Sequence, residues 1–382
     1  MPIVSYLYSL PYVICVIICF VCYDYGRAKR TKNVTIICLV IFFVWFFGLR
    51  GFLFTDFINY YPFYEELGGF FYNTSGEEMI FEPGFVIYSK IVKTIFPNYH
   101  IWIFINSLID VIILAITFKR YSTSPVLSWA VFIAMMGLVM ECNLLRNFKG
   151  LDCFLLSLPY LIKRKGWKYL GLNLLGATFH ISSLIYIPCY FILTKRLSKY
   201  VLGGIFICVN CLFFLKMGMS DIIVDFINNY IPGASIFQKM NWYMGESVEY
   251  GFSIGYIERT VTFILAFIFQ QKLIAKDFSN IIFCNSIFLY YFLFYLFFDI
   301  PVFVERIPLL FVFAYWFIYP NLLELVKAYK FKLCYFILLL FCCFKTAQSN
   351  RTLICRYDNM MLFGIDSYET RKNDYLSNPE IQ

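Results

Sequence analysis

From Ile3 to Tyr23 the chain carries no charged side chain, and apolar runs of similar character recur as far as residue 344. A backbone inside hydrocarbon has no water to satisfy its N–H and C=O groups, so each such run is read as a helix that pairs its own backbone. The composition agrees: 61% of residues are hydrophobic, 22% aromatic and only 15% charged, which excludes a soluble globular domain. At about 20 residues per span plus loops, the chain has room for about 11 to 12 transmembrane or half-spanning helices. We therefore expect an all-α polytopic membrane protein, a single integral domain over residues 1–382. The first run has no basic segment before it and no small-residue cleavage site, so it is read as a retained span and not a signal peptide.

Charge is distributed by loop. Lys and Arg collect at 27–32, 119–120, 163–168, 195–199, 272–276 and 327–332, and the positive-inside rule places these loops in the cytoplasm. They are explained by topology, and nothing in them predicts nucleic-acid binding. The fourteen Cys are scattered along apolar runs, and the CxxC of Cys208 and Cys211 has neither a second pair nor a His nearby. No Asp or Glu/His constellation predicts a metal, so no cofactor is expected.

Alternating faces then give an order of segments. Spans are expected at about 3–23, 33–49, 101–118, 126–140, 150–162, 200–216, 257–271, 280–298, one beginning near Glu305 and Arg306, and 332–344. An outer loop is expected at 50–82, acidic and rich in Phe and Tyr, suited either to sugar faces or to the membrane interface. Residues 83–97 read as an amphipathic interfacial helix that starts at Pro83. The apolar run 169–193 has basic loops at both ends, so it is expected to be a helical hairpin broken near GATFHISS. A second outer loop at 217–256 and a C-terminal outer tail at 345–382 complete the order.

This topology delivers Glu141–Gly150, ECNLLRNFKG, to the outer boundary, where charged groups are costly unless they face a cavity or bind something. It brings Arg50, Asp56, Glu82, Arg146, His180 and Arg306 to the same surface. The planar, permanently charged fork of Arg suits a diphosphate, so Arg146, Arg50 and Arg306 are the candidate diphosphate ligands. His180, one of two His in the chain, is either a packing residue or a base, with Glu82 and Asp56 as competing bases. Tyr60, Tyr61 and Asn143 are candidate sugar contacts.

Four segments, GLRGFLFTDFINYY (48–61), EPGFVIYSKIVKTIF (82–96), the Asn143 and Arg146 pair within CNLLRNFKGLDCFLLSLPYLIKRKGWKYL, and LLGATFHISSLIYIPCYFIL (174–193), occur in an order that resembles the EpsG family of Wzy-like bacterial polysaccharide polymerases. The likeness covers roughly residues 40–200, with the Arg306 region similar beyond it. It implies a GT-C-like fold in the cytoplasmic membrane and a metal-independent glycosyltransferase that moves a glycan from undecaprenyl diphosphate to the next lipid-linked repeat unit at the outer face. The product would be O-antigen, capsule or exopolysaccharide, and the implied partners are the lipid-linked oligosaccharide, membrane lipids, and a flippase and chain-length regulator of the same pathway. One departure is that Asn147 follows Arg146 where the family often has Gln. The alternatives are a flippase for the same lipid-linked oligosaccharide, using one cationic cavity without bond chemistry, and an O-antigen ligase.

Overall fold

The structure is a computed structural model that describes residues 4–26, 32–71, 81–219, 252–362 and 364–377. Among these residues the regular structure is helical, and strand pairing is limited to the isolated bridges Val4–Thr352, Arg50–Asn359 and Asn359–Gly364. The helices in order are α1 (Tyr6–Tyr25), α2 (Lys32–Gly48), α3 (Phe57–Glu66), α4 (Pro83–Ile95), α5 (Tyr99–Tyr121), α6 (Pro125–Phe132), α7 (Leu138–Cys142), α8 (Leu145–Ile162), α9 (Gly166–Phe179), α10 (Tyr186–Ile192) and α11 (Lys199–Phe214). After the second expected outer loop, most of which lies outside the described residues, come α12 (Ile254–Lys276), α13 (Asn280–Leu296), α14 (Pro301–Arg306), α15 (Phe313–Leu323), α16 (Ala328–Ser349) and α17 (Tyr368–Leu376).

Among the described residues, four helical stretches are long and apolar enough to cross a membrane: α1, α5, Pro125–Cys142 and α16. The other apolar helices are shorter; α13 has 17 residues, which at 1.5 Å per residue reach about 26 Å, a little under the thickness of a typical hydrocarbon core. The architecture is that of an all-α, multi-pass membrane protein.

The chain forms two compact units, one of residues 1–190 with 319–382, the other of residues 191–318. In the first, α1 packs against α16 and α6, α2 against α5, and α8 against α9. Local sequence explains the ends of these helices. Asn98 caps α5 by accepting from the N–H groups of His100 and Ile101 at 2.9 and 3.2 Å, and Lys119 and Arg120 close its last turn, where the helix dipole favours cations. Ser124 and Pro125 start α6.

Two features depart from the expected spans. The helix expected over 126–140 is interrupted: Met135 leaves helical geometry and Met136 takes φ of 59°. The Met-Met-Gly sequence permits this, because Gly137 has no Cβ, and one built there would lie 2.3 Å from the Phe132 carbonyl oxygen. The span expected from residue 150 begins instead at Leu145, so Arg146 and Lys149 are helical and find acidic partners inside the protein.

The run at 169–193 is a helical hairpin in the structure. α9 ends at Phe179, His180 is extended at φ −155°, and a short 3-10 turn, Ile181–Ile185, leads into α10. The return is fixed near its base, where Arg164 Nη1 donates to the Tyr190 carbonyl at 2.6 Å and Tyr190 donates back to the Arg164 carbonyl at 2.9 Å. Beyond α16 the chain folds over the segment that follows α2. Met360 N donates to Leu49 O at 3.0 Å, Phe54 N to Ile354 O at 2.9 Å, and Tyr357 stacks on Phe46 at 4.4 Å between ring centroids.

In the second unit α11, α12 and α13 pack together, and Asn285 on α13 donates to the carbonyls of Leu193 and Lys195, both at 2.9 Å. Tyr256 and Tyr291 both donate to Asn210 Oδ1, at 2.7 and 3.0 Å.

Gly137→Ala is expected to lower the melting temperature of the detergent-solubilised protein, because its Cβ meets backbone and the Phe132 ring that cannot both retreat. A melting temperature equal to that of the unaltered protein would show that the interruption at 135–137 is not held by that glycine.

Candidate functional site

Glu82 stands at the N-cap position of α4, yet its side chain makes no capping hydrogen bond. Its carboxylate is used elsewhere. Oε2 accepts from Arg146 Nη1 at 2.5 Å and Oε1 from the Ile181 N–H at 3.2 Å, while His180 Nε2 lies 3.9 Å from Oε1. Three segments far apart in sequence, the start of α4, the first turn of α8 and the tip of the hairpin, therefore meet at one carboxylate. Gly84 permits the contact, since a Cβ there would lie 2.1 Å from Thr178 Oγ1 and 2.8 Å from its carbonyl oxygen.

The tip is internally wired. His180 Nδ1 faces Ser182 Oγ at 2.7 Å and accepts from the Ser182 N–H at 3.2 Å. Asn147 Nδ2 donates to the same Ser182 oxygen at 3.2 Å. With Nδ1 accepting from that N–H, neutral His180 carries its proton on Nε2, the nitrogen nearer Glu82. Arg146 has its guanidinium 4.4 Å from the centre of the Phe81 ring and the Tyr60 phenol beside it.

The electrostatics follow from these neighbours. Partial burial raises the Glu82 pKa, but Arg146 outweighs it, with help from backbone hydrogen bonding and His180, and the net result is a carboxyl below its usual range. Burial pushes the Tyr60 phenol up to about 12 despite the pull of Arg146, so it remains a neutral hydroxyl. Glu82 and Arg146 are each 19% exposed at the side chain, so neither is sealed off as Arg50 is.

The other candidates are placed differently. Arg50 is 2% exposed, and its donors go to Phe47 O at 2.6 Å, Ser107 Oγ at 2.7 Å, the Glu141 carbonyl at 3.0 Å and Glu141 Oε1 at 3.4 Å. A diphosphate would have to displace these acceptors to reach it. Asn143 Oδ1 accepts from the N–H groups of Thr55 and Asp56 at 3.0 and 2.8 Å, which fixes the entry to α3. Asp56, half-buried, precedes that helix. Tyr60 is buried, and Tyr61 stacks on Tyr368 of the C-terminal segment at 4.4 Å. Arg306 belongs to the second unit and is exposed at the end of α14. The structure thus brings Glu82, Arg146, His180 and Tyr60 together and gives Arg50 and Asn143 acceptors or donors within the protein.

A family model matches residues 33–353 of the sequence, most of the chain. The chain belongs to the EpsG family. That family is linked to Wzy-like polymerases, which gives the chain a glycosyltransferase-like role. The match runs well past residue 200, so the C-terminal half shares the family pattern more fully than the quoted segments predict. No curated protein and no solved structure matches the chain. Among the described residues no group of three or more His, Cys, Asp or Glu could hold a metal ion.

One part of the structure around this cluster has no counterpart among the expected residues. Lys149, one turn after Arg146, is buried; it binds the Asp110 carboxylate and donates to the Asn106 carbonyl at 3.0 Å. Asp152 lies beside the same pair. The signal was visible, because Asp110 and Asp152 are acids inside runs read as spans, and such groups need a partner of opposite charge.

Lys149→Met is expected to destabilise the protein by about 3–5 kcal/mol, since it leaves Asp110 buried without its cation. Adding Asp110→Asn should recover much of the loss in a denaturant titration. For Glu82 the folded pKa is depressed, so its ion pair contributes fully above the ordinary carboxylate value and is lost as pH falls through the lower folded one. Melting temperature measured between about pH 3 and pH 6 should therefore fall on the acid side, and less steeply in Glu82→Gln.

Proposed function

We propose that the chain is a polysaccharide polymerase of the cytoplasmic membrane, a multi-spanning GT-C-type glycosyltransferase acting at the outer face. It transfers a glycan from undecaprenyl diphosphate to a hydroxyl of the next lipid-linked repeat unit. The observation that carries this reading, beside family membership, is the Glu82–Arg146–His180 cluster, which puts a phosphate-binding fork and a base within one contact of each other.

The chemistry balances without a cofactor. The bond from the anomeric carbon to the diphosphate oxygen breaks, a bond from that carbon to the acceptor oxygen forms, and the acceptor proton passes to the base. Arg146 is engaged by Glu82. A diphosphate competes for the same fork, and when Arg146 turns to it Glu82 loses the neighbour that holds its pKa down. The carboxylate then becomes a stronger base as the leaving group becomes bound. His180 Nε2 lies 3.9 Å from the carboxylate, and the Tyr60 phenol beside Arg146 steadies the guanidinium. In this assignment Glu82 is the base, and Arg50 acts indirectly by holding Glu141 and the chain that follows α2. Asp56 and Tyr61 flank the acceptor side, and Arg306 is a further candidate for the diphosphate. The glycan flippase and chain-length regulator of the pathway are the proposed partners.

Arg146→Gln and Glu82→Gln should each insert normally and reduce polymer by about two orders of magnitude, the range for removing charge stabilisation or a general base. A gel of surface glycan should show single repeat units in place of a ladder. Single units on the surface separate a polymerase from a flippase, whose loss would leave none outside. A full ladder from Arg146→Gln would overturn the assignment.

A further inference from the structure

His180 and Ser182 belong to the turn that follows α9, and Asn147 lies on α8, one residue after Arg146. Asn147 and His180 are buried, and Ser182 is half-buried. Consecutive residues leave a helix about 100° apart, so these two neighbours on α8 serve different sides of the Glu82 carboxylate. Arg146 reaches it directly at Oε2. Asn147 Nδ2 goes instead to Ser182 Oγ at 3.2 Å, and that oxygen lies 2.7 Å from His180 Nδ1. The other nitrogen of the same ring, Nε2, stands 3.9 Å from Glu82 Oε1.

The side-chain protons along this line have two possible senses, because an amide, a hydroxyl and a neutral imidazole each both donate and accept. One donor cannot be turned round. The Ser182 backbone N–H points at Nδ1 at 3.2 Å, and a proton on Nδ1 would face it. Nδ1 is therefore an acceptor, and the Ser182 hydroxyl gives it its proton. A hydroxyl has a single proton, so the same oxygen accepts from its other neighbour, the Asn147 amide. In the opposite sense the Asn147 carbonyl would draw the hydroxyl proton to itself, and Nδ1 would have to carry a proton against the backbone N–H.

The free edge of the ring matters for Glu82, since which imidazole nitrogen holds the proton is set by the partner of the other. An N–H at Nε2 is attracted to the carboxylate, whereas a lone pair there would repel it and compete for the acceptor proton. We propose that Asn147 is a positioning residue for His180. Acting through the Ser182 hydroxyl, it holds the ring with Nε2–H toward Glu82, so that Oε2, the oxygen Arg146 leaves, is the atom that takes the acceptor proton. This rests on the polymerase reading with Glu82 as the base.

The chain has two His, so isotopic labelling of histidine in the full-length protein, held in phosphatidylcholine nanodiscs, yields two imidazoles, and His180→Gln assigns one of them. Solid-state magnetic resonance separates protonated from unprotonated ring nitrogens and Nδ1 from Nε2. The unaltered protein is expected to show His180 protonated at Nε2 and not at Nδ1. In Asn147→Asp, which has the same shape, the carboxylate accepts only; it takes the Ser182 hydroxyl proton, and Nδ1 should gain one. Adding Ser182→Ala breaks the link and should return Nδ1 to its unprotonated form. Asn147→Ala removes the donor without adding charge and should move the proton in the same direction in part, so the question is answered even where the aspartate variant does not insert. The second readout is surface glycan from a deletion strain carrying each gene at matched membrane levels, where Asn147→Asp should lower polymer by roughly tenfold. The proposal is overturned by a proton on Nδ1 in the unaltered protein, by a ring unchanged in both Asn147 variants, by a proton that stays on Nδ1 after Ser182→Ala is added, or by a moved proton beside a full ladder. Each of these leaves the polymerase reading standing. An unaltered gene that restores no ladder overturns that reading, and the role of Asn147 with it.

Discussion

Lys149 and Asp110 form the contact on which the first unit turns. Ions taken out of water cost several kcal/mol each unless they meet opposite charge and further hydrogen bonds, and here the Asn106 carbonyl supplies one of these. The pair joins the middle of α5 to the beginning of α8 and so limits how α8 can rotate. Arg146 is three residues before Lys149, on the same side of the helix, and is thereby turned toward the start of α4. Gly150, next along, lets the hairpin approach: a Cβ there would lie 3.1 Å from Ser183 Cβ. One buried ion pair thus aims one functional side chain and leaves room for another.

The carboxylate of Glu82 shows how local and tertiary demands were settled. An acid at an N-cap ordinarily satisfies its own helix, and this one leaves that task undone. It answers instead to a guanidinium and to a backbone N–H at the hairpin tip. The extended geometry of His180 makes this possible, since it ends α9 and turns the Ile181 N–H outward to the carboxylate.

Much of this was legible in the sequence because hydrocarbon imposes a strict length and polarity pattern. The apolar runs at 3–23, 101–118 and 332–344 correspond to α1, α5 and α16, and the polar stretch from Glu141 to Gly150 does carry the principal cation of the cluster. What could not be read was the direction of individual side chains. Arg50 and Arg146 look alike as basic residues near a boundary, yet one is sealed against Glu141 and the other half-open beside Glu82. Nor could the sequence show that Asn143, a candidate sugar contact, turns its side-chain oxygen to two successive N–H groups and so anchors the loop before α3. Helix ends were also misjudged where charge was taken to mean loop, for partnered charges extend α8 upstream to Leu145. The interruption at Met136 left only the faint trace of a glycine after two methionines.

The segment after α16 closes over residues 49–61 and brings with it Tyr368, whose hydroxyl meets the Ile58 carbonyl from 310 positions further along the chain. During synthesis the early loop would emerge long before its cover does. The first helices are therefore made while residues 49–61 are still uncovered, and the packing is completed late, when the closing piece has been translated. A nascent chain built in this order cannot complete that surface before most of its own length exists.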